Sequence, residues 1–244
     1  MIEWTDDALV LAARPHGETS AVLQLLTREH GRHAGLLRGA IGRRNRGLLE
    51  PGNQVNAKWH ARLADHLGTF TCELISAHSA RLLDDPDRLA ALSAAASLCE
   101  EALPEREAHP ACYDAFLALI GALEGPHWAE TYVRWELGIL GELGFGLDLA
   151  NCAAGGDNNQ LAYVSPRSGR AVSLSAAEPY RERLLVLPSF LAGSGGAGGR
   201  AEVAQGLRLT GYFFERHIFH PRERQLPSAR LRLQERFPLL DDAL

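Results

Sequence analysis

The sequence predicts an α+β chain of several parts: a small β-barrel over residues 1–80, then an all-helical region over 81–244 with a hairpin module inserted at 151–175. Three observations carry this. Five short strand-like runs, each closed by turn residues, fill the first 80 positions. From Asp84 the texture changes to alanine-rich amphipathic sequence with proline at the expected helix starts. Between Asn151 and Ser175 the helical texture breaks in "CAAGGDNNQLAYVSPRSGRAVS", a loop followed by two short apolar runs. With 244 residues the chain can bury a sizeable core and divide into two domains.

The strand-like runs are Ala8–Ala12, Ala21–Thr27, His33–Leu37, Gln54–Trp59 and Thr69–Ile75. Gly17, Gly31, the Gly39/Gly42/Gly47 series, Pro51–Gly52 and Gly68 punctuate them. Short strands with turn signals at intervals of about 8–15 residues predict a small barrel rather than a βαβ unit. Closure removes exposed edges, and for five strands the OB-fold is the common solution. The connection Gly39–Glu50, "GAIGRRNRGLLE", is too polar and glycine-rich for a core and reads as a projecting basic loop.

Asp85–Pro86 caps and starts a helix to about Leu103, Pro110 a second to about Leu123, and Pro126 a third to about Leu143. Proline suits the first turn, where its missing N–H falls among groups with no helical partner. A hairpin through Leu161–Val164 and Ala171–Ser173 follows, then weak helix over Ser175–Leu191, a flexible connector at Gly193–Gly199, and helices over Glu202–Phe219 and Ser228–Phe237. At about 100° per residue, the apolar residues of the third helix, from Trp128 to Leu143, fill an arc of about 200°. That width predicts a central helix. Glu136 falls inside the arc and needs a partner; Arg134 falls outside it.

Charge points to function. Between positions 28 and 62, Arg28, Arg32, Arg38, Arg43, Arg44, Arg46, Lys58 and Arg62 face only Glu29 and Glu50, in a chain of formal net charge −5. Such a concentration fits an anionic partner, most simply a nucleic-acid backbone. An arginine-rich loop can also serve solvation alone. Residues 81–150 are the opposite, with four basic side chains against thirteen acidic ones.

Chemistry is harder to find. The run Gly193–Gly199 lacks the Lys-Ser/Thr of a P-loop, and no serine sits in a G-x-S-x-G turn. His30/His33 and His217/His220 have a ligand-like spacing without an evident third ligand. Cys72, Cys99, Cys112 and Cys152 form no C-x-x-C pair and no secretory leader precedes them, which predicts a reduced, intracellular protein; no apolar run approaches 18 residues, so no membrane span is predicted. The expectation is a protein without catalytic residues, cofactor or metal.

Four segments resemble the RecO family of bacterial recombination mediators. "RPHGETSAVLQLLTREHGRHAGLLRGA", Arg14–Ala40, is similar to the family's opening barrel strands. "RWELGILGELGFGLDLANC", Arg134–Cys152, is similar to its central helix and the turn leaving it, and Tyr163–Ser173 and Arg222–Leu231 also fit. The resemblance implies an OB-fold domain at 1–80 and a helical domain at 81–244. It implies binding of single-stranded DNA, annealing of complementary strands and, with RecR, loading of RecA onto strands coated by single-stranded-DNA-binding protein, in the cytoplasm at the nucleoid. One branch of the family holds zinc on four cysteines in the insert; here the insert keeps only Cys152, so a zinc-less remnant is expected.

OB-folds hold single strands by a positive groove and aromatic stacking. Arg32, Arg38, Arg43, Arg44, Arg46 and Lys58 are the candidates for that groove, joined by Arg222, Arg224 and Arg230 if the C-terminal segment returns beside the barrel. Trp59 either stacks on bases or, by its alternation with Val55 and Ala57, points inward. Arg134 is the candidate for binding the acidic C-terminal tail of single-stranded-DNA-binding protein. Two other readings stay open: an OB-fold RNA-binding adaptor without annealing activity, and a hydrolase using His217/His220.

Overall fold

A computed structural model describes residues 1–40, 42, 47–193 and 198–238, the side chain of Asn159 apart. The chain forms two compact units, Met1–Glu124 with Pro227–Arg230, and Gly125–Leu226 with Leu231–Leu244.

The first unit is built on a closed barrel in the order β1-β2-β3-β5-β4, from β1 (Ile2–His16), β2 (Ser20–Thr27), β3 (Gly31–Leu37), β4 (Gln54–Ala61) and β5 (Thr69–Ser76). The expected α+β class with an N-terminal five-stranded barrel and a following helical region is what the chain adopts. The first strand is much longer than its apolar run because it pairs on both sides. Ile2–Leu9 runs antiparallel to β4 and Ala8–His16 to β2, with a register shift between Val10 and Ala12 that bends the strand from one neighbour to the other. A short parallel contact, Leu36 with Thr69 and Leu37 with Phe70, closes the barrel. Inward residues alternate along each strand, and Ala8, Val10, Leu23, Leu25, Val55, Ala57, Trp59 and Phe70 form the core. Helices α1 (Pro86–Ala102) and α2 (Pro110–Ala122) belong to the same unit and begin at their prolines; the Asp85 carboxylate accepts from the N–H groups of Asp87 and Arg88.

The second unit centres on α3 (Trp128–Glu142) and α5 (Arg200–Phe214), which pack on each other. Helix α3 starts two residues after Pro126, at Trp128. Glu136 is fully buried and accepts a hydrogen bond from the Thr210 hydroxyl of α5, as the width of its apolar arc requires. The expected hairpin forms from β6 (Leu161–Val164) and β7 (Ala171–Ser173). The weak helix expected over Ser175–Leu191 is mostly something else: one turn, α4 (Leu174–Ala177), two 3₁₀ turns, and β8 (Leu185–Val186), which adds to β6 and completes a three-stranded sheet. Pro179 and Pro188 interrupt helical bonding, leaving β8 to satisfy its backbone on the hairpin. Helix α5 runs on into a π-helical turn, Glu215–Phe219, and α6 (Ser228–Glu235) follows.

Candidate nucleic-acid interface

The β3–β4 connection is anchored at both ends. Ala40 and Leu48 are buried in the barrel core. Asn53, wholly buried, donates to the Gly47 carbonyl, accepts from the Ser79 N–H and hydroxyl at 3.0 Å each, and its carbonyl accepts from Val10 N at 2.9 Å. A buried amide with its hydrogen bonds made is a rigid support, and here it fixes the far end of the connection to the barrel wall. Arg38, at the near end, is exposed and has no side-chain partner among the described residues. Arg43, Arg44 and Arg46 lie outside the described residues.

Three other cations of the basic stretch, Arg32, Arg28 and Lys58, are occupied. Arg32 donates from Nε to the Leu103 carbonyl at 2.9 Å and from Nη1 to Gln24 at 3.4 Å, while its own carbonyl accepts from Arg106 N. Its guanidinium therefore fastens the segment after α1 to the barrel. Arg28 forms a bidentate pair with Asp114, at 3.1 and 3.0 Å. Lys58 meets Glu3 at 2.8 Å with both side chains about half exposed, an arrangement worth little and easily exchanged for a phosphate. Arg62 is exposed, again without a side-chain partner among the described residues.

Trp59 faces inward, 1 % exposed, with Nε1 donating to the Leu67 carbonyl at 3.0 Å. The base-stacking alternative is closed. Around it lies an aromatic cluster invisible in the sequence: Trp4 stacks on His30 with centroids 4.1 Å apart, and His33 meets Trp59 edge-on at 4.7 Å. His30 Nδ1 is 3.0 Å from Asp6, which also accepts from Glu29 N. His33 is 4 % exposed and neither ring nitrogen has a partner. Its burial, helped by Arg106 and His30, pushes its pKa down to about 4, so it stays neutral among the rings.

In the second unit Arg222 and Arg224 are exposed, on and just after a 3₁₀ turn that follows the π-helical one. Arg230, which belongs to the first unit, is 0 % exposed and engaged, so no phosphate reaches it; its expected role in DNA contact is corrected. Arg134 is exposed on α3, donates from Nη2 to the Phe190 carbonyl at 2.9 Å, and lies over the Phe190 ring at 5.2 Å. His217 stacks on Phe145, centroids 4.8 Å apart, while His220 is exposed on the next turn.

A four-thiolate zinc site does not fit the insert. Cys152 is its one cysteine, while Cys72, Cys99 and Cys112 belong to the first unit. The Cys152 sulfur is instead hydrogen-bonded within the module, to Ser173 N at 3.3 Å and Ser173 Oγ at 3.5 Å. Burial raises this thiol, but the Ser173 hydroxyl and the N–H groups of Ser173, Ala154 and Gly156 outweigh it and bring it down to about 7.

Among the described residues no helix is long and apolar enough to cross a membrane. Two family models match the chain: "Recombination protein O N terminal" over residues 1–78 and "Recombination protein O C terminal" over residues 83–226. Curated relatives named "DNA repair protein RecO" are similar over nearly the whole chain. The one from Rhodospirillum centenum is 62 % identical over 238 residues, 97 % of this chain and 95 % of its own. The Rhodospirillum rubrum relative is 52 % identical, covering 97 % of this chain and 96 % of its own, and the Phenylobacterium zucineum relative is 51 % identical, covering 96 % and 97 %.

Proposed function

The chain belongs to the RecO family of DNA repair and recombination proteins, and on that premise we propose that it is a non-enzymatic mediator which binds single-stranded DNA, anneals complementary strands and, with RecR, helps load RecA onto strands coated by single-stranded-DNA-binding protein. The observation that carries the reading is the β3–β4 connection: a glycine-rich basic segment held at both ends by a closed barrel, with Arg38 exposed at its root. Cations on such a loop neutralise phosphates and release counterions without reading sequence. Arg38, Arg43, Arg44 and Arg46 are the proposed principal contacts, with Lys58 recruited from its exposed pair and Arg222 and Arg224 contributing from the second unit. The arrangement we propose is a barrel domain at 1–80 that makes the principal DNA contacts and a helical domain at 81–244 that adds to them and binds partners, with the insert 151–175 held by packing and no metal.

Arg134 is the proposed contact for the acidic tail of single-stranded-DNA-binding protein. After its bond to Phe190 a guanidinium keeps further N–H donors for a carboxylate. Such a protein would work in the cytoplasm at the nucleoid. The test is annealing of two complementary oligonucleotides, naked and coated with the cognate single-stranded-DNA-binding protein. Acceleration in both cases is expected. Binding to folded RNA with no annealing would replace this reading with the RNA-adaptor one.

A further inference from the structure

Helix α3 ends in a left-handed turn that places an aromatic ring at the surface. Gly144 has φ +87° and donates to the Gly141 carbonyl at 3.0 Å, and Phe145 N donates to the Leu140 carbonyl at 2.8 Å. This pair of bonds closes the helix and fixes the backbone from which Phe145 projects. In such endings an apolar residue at this position usually folds back on the helix. Phe145 is instead 36 % exposed and lies against His217, rings 4.8 Å apart and 13° from parallel. His217 is in turn nearly parallel to Phe213, at 5.9 Å and 8°, and Phe213 is 1 % exposed. Three planar groups thus lead from the core to solvent, and the outermost is partly open. His217 reaches this position from the π-helical turn Glu215–Phe219, an insertion that is common at functional sites.

Arginines stand close along the chain to the segments that build this stack. The tip of the β6–β7 hairpin, Ser165–Arg170, packs beside it: a β-carbon built on Gly169 would lie 2.9 Å from Leu147 Cδ2 and 3.8 Å from Phe213 Cε1, so only glycine lets the tip approach so closely. The tip carries Arg167, exposed and without a side-chain partner among the described residues, and Arg170, which pairs with Asp148 at 3.3 Å. Arg216, next to His217, is also exposed, with Nη1 on the Tyr212 hydroxyl. An open planar face with cations beside it is the combination that holds single-stranded nucleic acid: bases stack on the ring while phosphates meet the charges.

We propose that Phe145, backed by His217 and Phe213, is a base-stacking site for a nucleotide of single-stranded DNA in the second unit, with Arg167 and Arg216 taking the flanking phosphates. The inference rests on the single-strand binding proposed above and adds to it a place where bases, not only phosphates, are held. A polyanion that meets only arginine loses nothing when its bases are removed. A strand that stacks on Phe145 does.

The test is fluorescence anisotropy with the full chain, a labelled oligothymidylate and an abasic oligonucleotide of the same length. Wild type should bind the abasic strand about fivefold or more weakly, since one stacked base contributes on the order of 1–3 kcal/mol. Phe145→Leu keeps apolar bulk without the planar face and should lose that preference with the salt slope unchanged; Phe145→Trp should keep it. Arg167→Ala should weaken both strands alike. A full preference in Phe145→Leu, or no preference in wild type, overturns the stacking site while leaving single-strand binding in place. Failure of wild type to bind either strand overturns both.

Discussion

Arg38 at the root of the β3–β4 connection and Arg134 on α3 are both exposed arginines, yet the chain uses them differently. Arg38 meets solvent with no side-chain partner among the described residues. Arg134 is bonded to the Phe190 carbonyl and stacked on the Phe190 ring, so it ties the 3₁₀ turn Ser189–Leu191 to the central helix of its unit. Arg32 and Arg230 repeat the second pattern, one bonded to the Leu103 carbonyl and the other fully buried. At the root of the β3–β4 connection Arg38 fastens nothing among the described residues and keeps its donors for a ligand, whereas Arg28, on the β2–β3 connection, is already paired with Asp114. On a regular element, packed neighbours supply acceptors within reach, and the planar fork of arginine suits them. Counting arginines therefore finds a basic segment, but not which of its members face a partner.

The sharpest contrast with a ligand-facing charge is Glu136. It is buried against Thr210, so Glu136→Ala should remove this bond between helices, leave the hydroxyl only the Gly206 and Leu207 carbonyls of its own helix, and lower stability by about 3 kcal/mol in denaturant unfolding. Glu136→Gln keeps an acceptor oxygen and should recover part of this. A mutant that unfolds like wild type would place the carboxylate in solvent and undo the distinction between buried and offered charge in the second unit.

Next in size is His33 in the barrel. Its folded pKa of about 4 lies below the unfolded value of 6.5, so the unfolded chain takes up its proton first as pH falls. Its contribution is fully present above pH 6.5 and is lost between 6.5 and about 4, by about 2–3 kcal/mol at one pKa unit per 1.36 kcal/mol. His33→Phe should flatten unfolding free energy in that window and leave it near wild type at neutral pH. An unchanged slope would mean that the ring is solvated.

Replacing Arg43, Arg44 and Arg46 together by alanine should reduce the log–log salt slope for single-stranded DNA binding by about 2, at roughly 0.7 per lost phosphate contact. Affinity should fall alike on all sequences. An unchanged slope would move the interface off this connection.

Element types were legible where period and punctuation agreed. The four shorter strands and the hairpin stand within two residues of their apolar runs, and Asp85–Pro86 and Pro110 open helices as proline and a capping carboxylate dictate. The failures are physical too. β1 extends to both sides of its apolar run because it pairs with two partners, and β8 exists only because β6 offers it an edge; neither signal is local. For the interface, the cluster of charge was legible but its assignment was not. Nothing adjacent to Arg32 announces the Leu103 carbonyl 71 residues away, and nothing near Phe145 announces His217.

The smallest expected effect tests Arg134 itself, because its structural and recognition roles predict different responses. If it only fastens Phe190, Arg134→Ala should lower stability by about 1 kcal/mol, the scale of an exposed hydrogen bond with a cation–π contact, and leave partner binding alone. If it also meets a partner's acidic tail, peptide binding by fluorescence polarisation should fall in Arg134→Ala and vanish in Arg134→Glu, where like charges oppose. Arg134→Lys separates the two. It keeps the positive charge but not the flat fork, so it should retain most of the peptide affinity while losing the stacking on Phe190. Annealing of naked strands should survive all three variants, since the proposed DNA contacts lie elsewhere. Peptide binding unchanged in Arg134→Glu would leave this side chain a fastener like Arg32 and would move the contact for the acidic tail to another residue.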